Sequence, residues 1–409
     1  MTARAVWSGP VRALGRTEFI ALMAMLTATV AFSIDAMLPA LPEIGAELTP
    51  QALNRAQLIL TSFVLGMGLG TFFTGALSDR FGRRPVMICG AVLYIAAAAA
   101  AWMAPSLELI LAARLIQGLG ASGPRVVAMA IVRDLTSGRD MARTLSFIML
   151  VFALVPALAP TVGAGIIAAF GWRAIFVAFI LFSAVSIAWL MIRQPETLPP
   201  ARRRPLRWPL MAAALREMFA HPTVRLSLAV QTLTAATLFS VLSSTQQVFD
   251  VTYGRGGQFH LWFALIAVVA ASASMLNARY VGVFGMRAMI RFVLAGQILV
   301  SSAMIAALLV PLPRDAEFAI YLVWTTSCFF QIGFTLGNLN ALALEPLGHI
   351  AGLAASMLAA LSTVGAVMIA APVGLAFDGT PLPLAVSVLV CAALALWLAT
   401  KIRRDSDPL

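Results

Sequence analysis

Gly75-Ala-Leu-Ser-Asp79-Arg80-Phe-Gly82-Arg83-Arg84-Pro85 stands between two long apolar runs, residues 56–77 and 86–104. Its glycines permit a sharp reversal of the backbone. Asp79 lies within reach of arginines at the adjoining helix ends, where opposite charges gather favourably. A turn of this kind between two apolar stretches reads as a hairpin of membrane-spanning segments, each needing about 20 apolar residues.

Moving outward from that hairpin, the same unit recurs along the chain. Apolar runs fall near 18–40, 56–77, 86–104, 107–132, 142–170 and 174–192, then near 224–247, 259–278, 288–311, 317–342, 351–377 and 382–400. Alternating stretches of about ten residues, the signature of membrane strands, are missing, so the spans are expected to be helices. Composition agrees: 61% of the 409 residues are hydrophobic and 11% are charged, with a mean hydropathy of +0.93. Soluble domains carry roughly 25% charge. The expected fold is therefore an all-α membrane protein of twelve transmembrane helices. The first apolar run is read as a retained span rather than a signal peptide, because no small-residue cleavage site follows it.

The net charge of +11, from 28 basic and 17 acidic residues, would suggest nucleic acid in a soluble protein. Its distribution suggests orientation instead. Twenty-two basic residues fall in the tails and the even-to-odd turns, four (Arg55, Arg173, Arg255, Arg314) in the odd-to-even turns, and two (Arg114, Arg125) inside spans. Positive charge gathers on the cytoplasmic side, which places both termini there and removes any need for a nucleic-acid partner. The proline-rich basic segment from Arg193 to Pro222 is the one long break. It divides the chain into six spans (1–192), a linker (193–222) and six more (223–409), in two pseudo-symmetric halves. The linker is expected to lie on anionic headgroups, with an interfacial helix from Trp208. Cys89, Cys328 and Cys391 sit inside apolar runs without CxxC spacing, so inert thiols are expected.

The order of residues in the Asp79 turn, G-x-L-x-D-R-x-G-R-R, resembles the hallmark loop of the major facilitator superfamily, a latch between halves. Leu276-Asn-Ala278-Arg279 and Gly285-Met-Arg287 are a degraded second copy, as a parallel-repeat transporter implies. Span 4 carries Arg114-Leu-Ile-Gln117-Gly118-Leu-Gly120-Ala121, which resembles that superfamily's R-x-x-Q-G-x-G-A motif. A charge inside a span marks function by default. Its expected partner is Asp35 of span 1, one turn before Pro39, as a buried carboxylate beside an arginine can act as a proton switch. Span 5 holds Pro156, Pro160 and Gly163. This resembles the antiporter motif with its leading pair altered, on a helix expected to bend.

Taken with FGWRAIF, PETLPP, LNAR and NALALEPLGHIAG, these strings resemble the Bcr/CflA branch of drug–proton antiporters over almost the whole chain. The resemblance implies Asp35 as the protonated acid, Arg114 and Gln117 as its link to the cavity, and a latch of Asp79, Arg80, Gly82 and Arg83 with Arg133 as partner. It implies a monomer in a bacterial inner membrane that exports small amphipathic molecules against protons by alternating access. Arg125, just after Pro124, and Gly337 depart from the branch. An extra cation in the cavity should disfavour cationic substrates.

Gln231 and Gln246 on span 7, with Gln331 and Asn338 on span 10, are candidate cavity residues, although such groups also bond between helices. His260 opens span 8. A copper-importing branch of the superfamily carries HxxxM there, and soft ligands suit Cu(I), so import of a small solute or Cu(I) is the alternative. Position 264 is alanine, however, and span 7 has no methionine. No Ser/His/Asp cluster, HExxH or phosphate loop is visible, so neither an enzyme nor a cofactor site is expected.

Overall fold

Proline and glycine decide where these apolar runs stop being helix. A computed structural model describes residues 14–203, 205 and 208–402, apart from the side chains of Ala142 and Ala153. Arg4, Arg12, Arg204, Arg207, Arg403 and Arg404, all counted in the charge asymmetry, lie outside the described residues. Twelve long helices occupy the remainder, with no strand among the described residues. The first six are α1 (Arg16–Asp35), α2 (Leu58–Phe81), α3 (Arg83–Met103), α4 (Leu107–Leu135), α5 (Gly138–Phe170) and α6 (Ala174–Arg193). The second six are α7 (Pro222–Gln247), α8 (Phe259–Phe284), α9 (Met286–Leu308), α10 (Arg314–Leu344), α11 (Ala351–Leu375) and α12 (Leu382–Thr400).

The first span is shorter as α-helix than its apolar run. A proline ring clashes with the carbonyl four residues earlier, and for Pro39 that residue is Asp35, where α1 ends. The chain continues through a 3₁₀ turn, Leu38–Ala40, into a short helix, Leu41–Leu48. Pro156 and Pro160 stay inside a continuous α5, and Pro124 inside α4. Between α10 and α11 lies a 3₁₀ stretch, Glu345–Ile350, in which Leu347 leaves helical geometry.

Within the first six helices α4 packs on α2 and α3, and α1 on α5. The α2–α4 approach is close enough to demand glycine: a Cβ on Gly118 would lie 2.0 Å from the Phe63 carbonyl oxygen. The two groups of six meet where α2 packs on α11 and α5 on α8. The linker helix, Trp208–Ala220, is docked rather than merely laid on headgroups. It buries Met211, Ala214 and Met218 against Ala343, Leu347 and Met357, and Trp208 meets the Phe73 ring of α2 edge-on. The linker and the Asp79 turn share one end of the bundle, here the linker face. The Leu41–Leu48 helix lies at the other, the far face.

Candidate functional site

The arginine in α4 is the most deeply placed charge. Arg114 is 0% exposed. Its Nη2 donates to the Ser33 carbonyl at 3.0 Å, its Nε to the Ile59 carbonyl at 3.3 Å and its Nη1 to Gln117 Oε1 at 2.8 Å. The guanidinium also faces the Phe63 ring at 4.2 Å and the Phe179 ring at 5.7 Å. A desolvated cation gains roughly 2 kcal/mol from such ring faces. Arg114 thus ties α1, α2 and α4 together through neutral acceptors.

The expected ion pair with Asp35 is not formed. Asp35 is buried at 5% exposure and reaches the same depth, two residues beyond Ser33, yet no cation lies within 4.0 Å of it among the described residues. Residues two apart on a helix point about 200° apart. The turn that offers the Ser33 carbonyl to Arg114 therefore aims the Asp35 side chain elsewhere. Gly163 of α5 closes on this same end of α1, where a Cβ would sit 2.3 Å from the Ala36 carbonyl oxygen. Pro160 and Pro156 lie one and two turns before it on α5. Asp35 therefore stands at a tight α1–α5 contact, without a counterion.

Beyond that end of α1 the two groups of helices are joined by a polar seam. Gln57 donates to Gln247, and Ser244 donates to Gln57 Oε1 at 3.0 Å. Gln247 Nε2 donates to Asn54 Oδ1 at 2.7 Å, and Asn54 Nδ2 to the Phe377 carbonyl at 2.6 Å. Gln246 lines a cavity at this seam. No hydrogen bond joins α4 to α10 among the described residues. Hydrogen bonds therefore hold the far face shut. The pairing across this seam was not legible in the sequence, because its partners lie 187 and 193 residues apart.

At the linker face the latch residues assemble around Arg83. Its Nη1 donates to Asp79 Oδ1 at 2.5 Å and to Ser78 Oγ at 2.7 Å, and its Nε to Asp134 Oδ2 at 2.9 Å. Gly82 has φ +105°, a backbone geometry reserved for glycine, and a Cβ there would come within 2.7 Å of Glu196 Oε2. Glu196 accepts from the Arg83 and Arg84 backbone N–H groups at 2.9 and 3.0 Å, satisfying orphan donors at the start of α3. The expected partner Arg133 takes no part: it is exposed and donates to the Met129 carbonyl. Its neighbour Asp134, about 100° round the helix, faces Arg83 instead. Arg80 stacks on Phe81. Asp134 and Glu196 were missed, although Glu196 lies in a string singled out above, PETLPP.

The other candidates are dispersed. Arg125 is half-buried on the Arg114 face of α4 and donates to Met67 Sδ at 3.4 Å, a weak acceptor. It has no carboxylate within 4.0 Å among the described residues. Asn338 donates to Asn277 Oδ1 at 2.8 Å, a bond between helices of the second group. Gln331 is buried with neither amide atom bonded, and the Oε1 atoms of Gln231 and Gln246 also lack partners. His260 stands half-buried in the first turn of α8. Among the described residues no three His, Cys, Asp or Glu side chains gather as a metal would require.

Comparison with known proteins gives a match to the Major Facilitator Superfamily over residues 23–372. The chain is 29% identical over 387 residues to the bicyclomycin resistance protein homolog of Haemophilus influenzae, covering 92% of this chain and 94% of that one. It is 30% identical to the multidrug resistance protein MdtL of Escherichia coli, covering 84% and 85%. Among solved structures it resembles a D-xylose–proton symporter with a TM-score of 0.76 at 16% identity, over 96% of this chain and 99% of the other. That last likeness is one of fold.

Proposed function

The chain belongs to the Major Facilitator Superfamily and is a transporter rather than an enzyme; from that premise we propose that it exports small amphipathic organic molecules from the bacterial cytoplasm in exchange for protons. The relatives named for bicyclomycin and multidrug resistance support efflux. The linker face is assigned to the cytoplasm, because 16 of the 22 described basic residues fall on that side. The far face is then periplasmic, and the bonded seam there makes this an inward-facing arrangement.

The observation that carries the proton coupling is Asp35, a buried carboxylate with no counterion at the end of α1 nearest the seam. Ionising an isolated buried carboxylate is costly, so Asp35 exchanges a proton only on the side from which water reaches it. Opening the seam wets Asp35 from the periplasm. Rocking of the two halves then carries the proton inward as substrate leaves. Arg114 serves as a fixed brace, holding the last turn of α1 on α4 through the Ser33 carbonyl. The Asp79–Arg83–Asp134 cluster holds the cytoplasmic ends of α2, α3 and α4 as one body. Arg125, without a carboxylate partner, disfavours cationic substrates in the cavity.

Reconstituted Asp35→Asn protein should bind substrate yet lose pH-gradient-driven transport. Transport that still follows an imposed pH gradient in that variant overturns the coupling.

A further inference from the structure

Arg125 has no part in the coupling step or the latch. It follows Arg114 by eleven residues, about three turns, so the two share a side of α4. That side faces α1 and α2, whose carbonyls hold Arg114, and Arg125 stands on it roughly 16 Å nearer the linker face. Leu109 and Ile116, exposed at 53% and 43%, lie about 160–180° round the helix, so Arg125 points away from the outer surface. Its level also borders the second half. A Cβ on Gly75 of α2 would sit 4.0 Å from the neighbouring Val126 side chain and 3.8 Å from Ser356 Oγ of α11, and one on Gly68 would sit 3.1 Å from Thr363 and Val364.

A long arginine side chain ordinarily reaches for the nearer water. Arg125 does the reverse. Its Nη1 donates to Met67 Sδ at 3.4 Å, and Met67 lies level with Gly118, whose Cβ would fall 2.7 Å from the Met67 backbone nitrogen. The guanidinium is thus turned towards the middle of the span. A thioether is a weak acceptor. Nε and Nη2 have no partner among the described residues, and unlike the sealed amide of Gln331 they keep open surface. The edge left free is a fork of two parallel N–H bonds, spaced for two oxygens of one acid group. No carboxylate of this chain stands at that depth: apart from Asp35, at the opposite end of α1, every acidic residue lies in the first or last turn of a span or outside it. A cation inside a span is costly without a counterion. An open fork beside the junction of the halves describes a receptor for an oxyanion.

We propose, resting on the export reading, that the molecule carried is an amphipathic organic anion whose carboxylate or sulfonate docks on Nε and Nη2 of Arg125. Arg125 then sets the charge of the substrate. Arg114 does not compete for it, because its donors are spent on two carbonyls and Gln117 and its faces on two rings.

The test is equilibrium dialysis of the full-length protein in lipid nanodiscs, with empty nanodiscs as the blank. Its three probes share one ring and chain: 4-phenylbutyrate, 4-phenylbutanol and 4-phenylbutylammonium. The anion should bind saturably and at least roughly tenfold more tightly than the other two. Arg125→Gln should weaken the anion by roughly tenfold or more, the loss of a two-point charged contact, and erase its lead over the alcohol. Arg125→Lys keeps the charge without the fork and should fall between. In the wild type, where no variant need fold, 3-phenylpropanesulfonate should displace bound 4-phenylbutyrate and 4-phenylbutylammonium should not. Equal binding of the three probes, undiminished 4-phenylbutyrate binding by Arg125→Gln, or a fall in all three probes together overturns the proposal. So does the absence of saturable binding up to about 10 mM, weaker than a specific site here should be. Binding is read without a gradient, so its failure strikes the anion alone. Retained binding with no movement of any probe under an imposed pH gradient in proteoliposomes strikes the export reading instead and leaves the site standing.

Discussion

Replacing Asp35 and Arg114 one at a time and together separates the two ways these charges could be related. If they formed a buried ion pair, removing either partner would strand the other and cost about 3–5 kcal/mol. The structure shows no such pair. Asp35 has no cation within reach, whereas Arg114 donates three hydrogen bonds and faces two rings. Each hydrogen bond from a charged group is worth roughly 1.5–3 kcal/mol, less when summed. Losing them leaves the buried Ser33 and Ile59 carbonyls short of a donor. Arg114→Gln should therefore cost about 3–5 kcal/mol. Asp35→Asn replaces a carboxyl group that has no counterion to strand and should stay within about 1 kcal/mol of wild type, in either direction. In a double-variant cycle the coupling between the two should fall below about 0.5 kcal/mol. Thermal unfolding in a mild detergent, followed by intrinsic tryptophan fluorescence, ranks the variants. For a chain of this size a loss of 1 kcal/mol moves the midpoint by about 2 °C or less, so Arg114→Gln should fall by several degrees and Asp35→Asn by hardly any. A fall of equal size in both, with a coupling of several kcal/mol, would refute the unpaired arrangement.

Gly82→Ala forces a side chain onto a φ of +105° and drives its Cβ against Glu196, so a loss of about 2–3 kcal/mol in thermal stability is expected. Asp134→Asn should disrupt the Arg83 cluster and reduce transport, whereas Arg133→Gln should leave both stability and transport near wild type; measuring the two side by side decides which residue completes the latch. Gln57→Leu removes two bonds of the seam, worth about 1–2 kcal/mol, and should raise the open-seam population some 5–30-fold. Labelling of a cysteine placed at Ser243 by an impermeant thiol reagent from the far face reads that population, and an unchanged labelling rate contradicts the seam as the closing device.

The membrane architecture was legible because hydropathy acts locally. An apolar run of sufficient length must be helical in a bilayer, and proline and glycine mark its ends. The Asp79–Arg83 contact was legible for the same reason, since residues four apart on a tight turn meet whatever the remainder of the chain does. The strings that resembled the superfamily pointed to the right loops, though not to the right atoms. Arg133 was favoured over Asp134, and an Asp35–Arg114 pair over the Ser33 carbonyl. In both cases sequence placed the charge at the correct depth, and a rotation of 100–200° about the helix axis decided which group met its neighbour. That rotation is set by packing, in particular by the glycine-permitted approach of α4 to α2 and of α5 to α1.

Sequence by itself therefore determined the twelve spans, their charge asymmetry and the family. Tertiary structure alone decided that Asp35 stands unpaired, that Asn338 bonds within its own half, and that Asn54, Gln57 and Gln247 close the far face. The physical reason is range. Hydropathy and turn chemistry are properties of neighbouring residues, whereas a counterion or a seam depends on side chains that approach only after separate helices have packed.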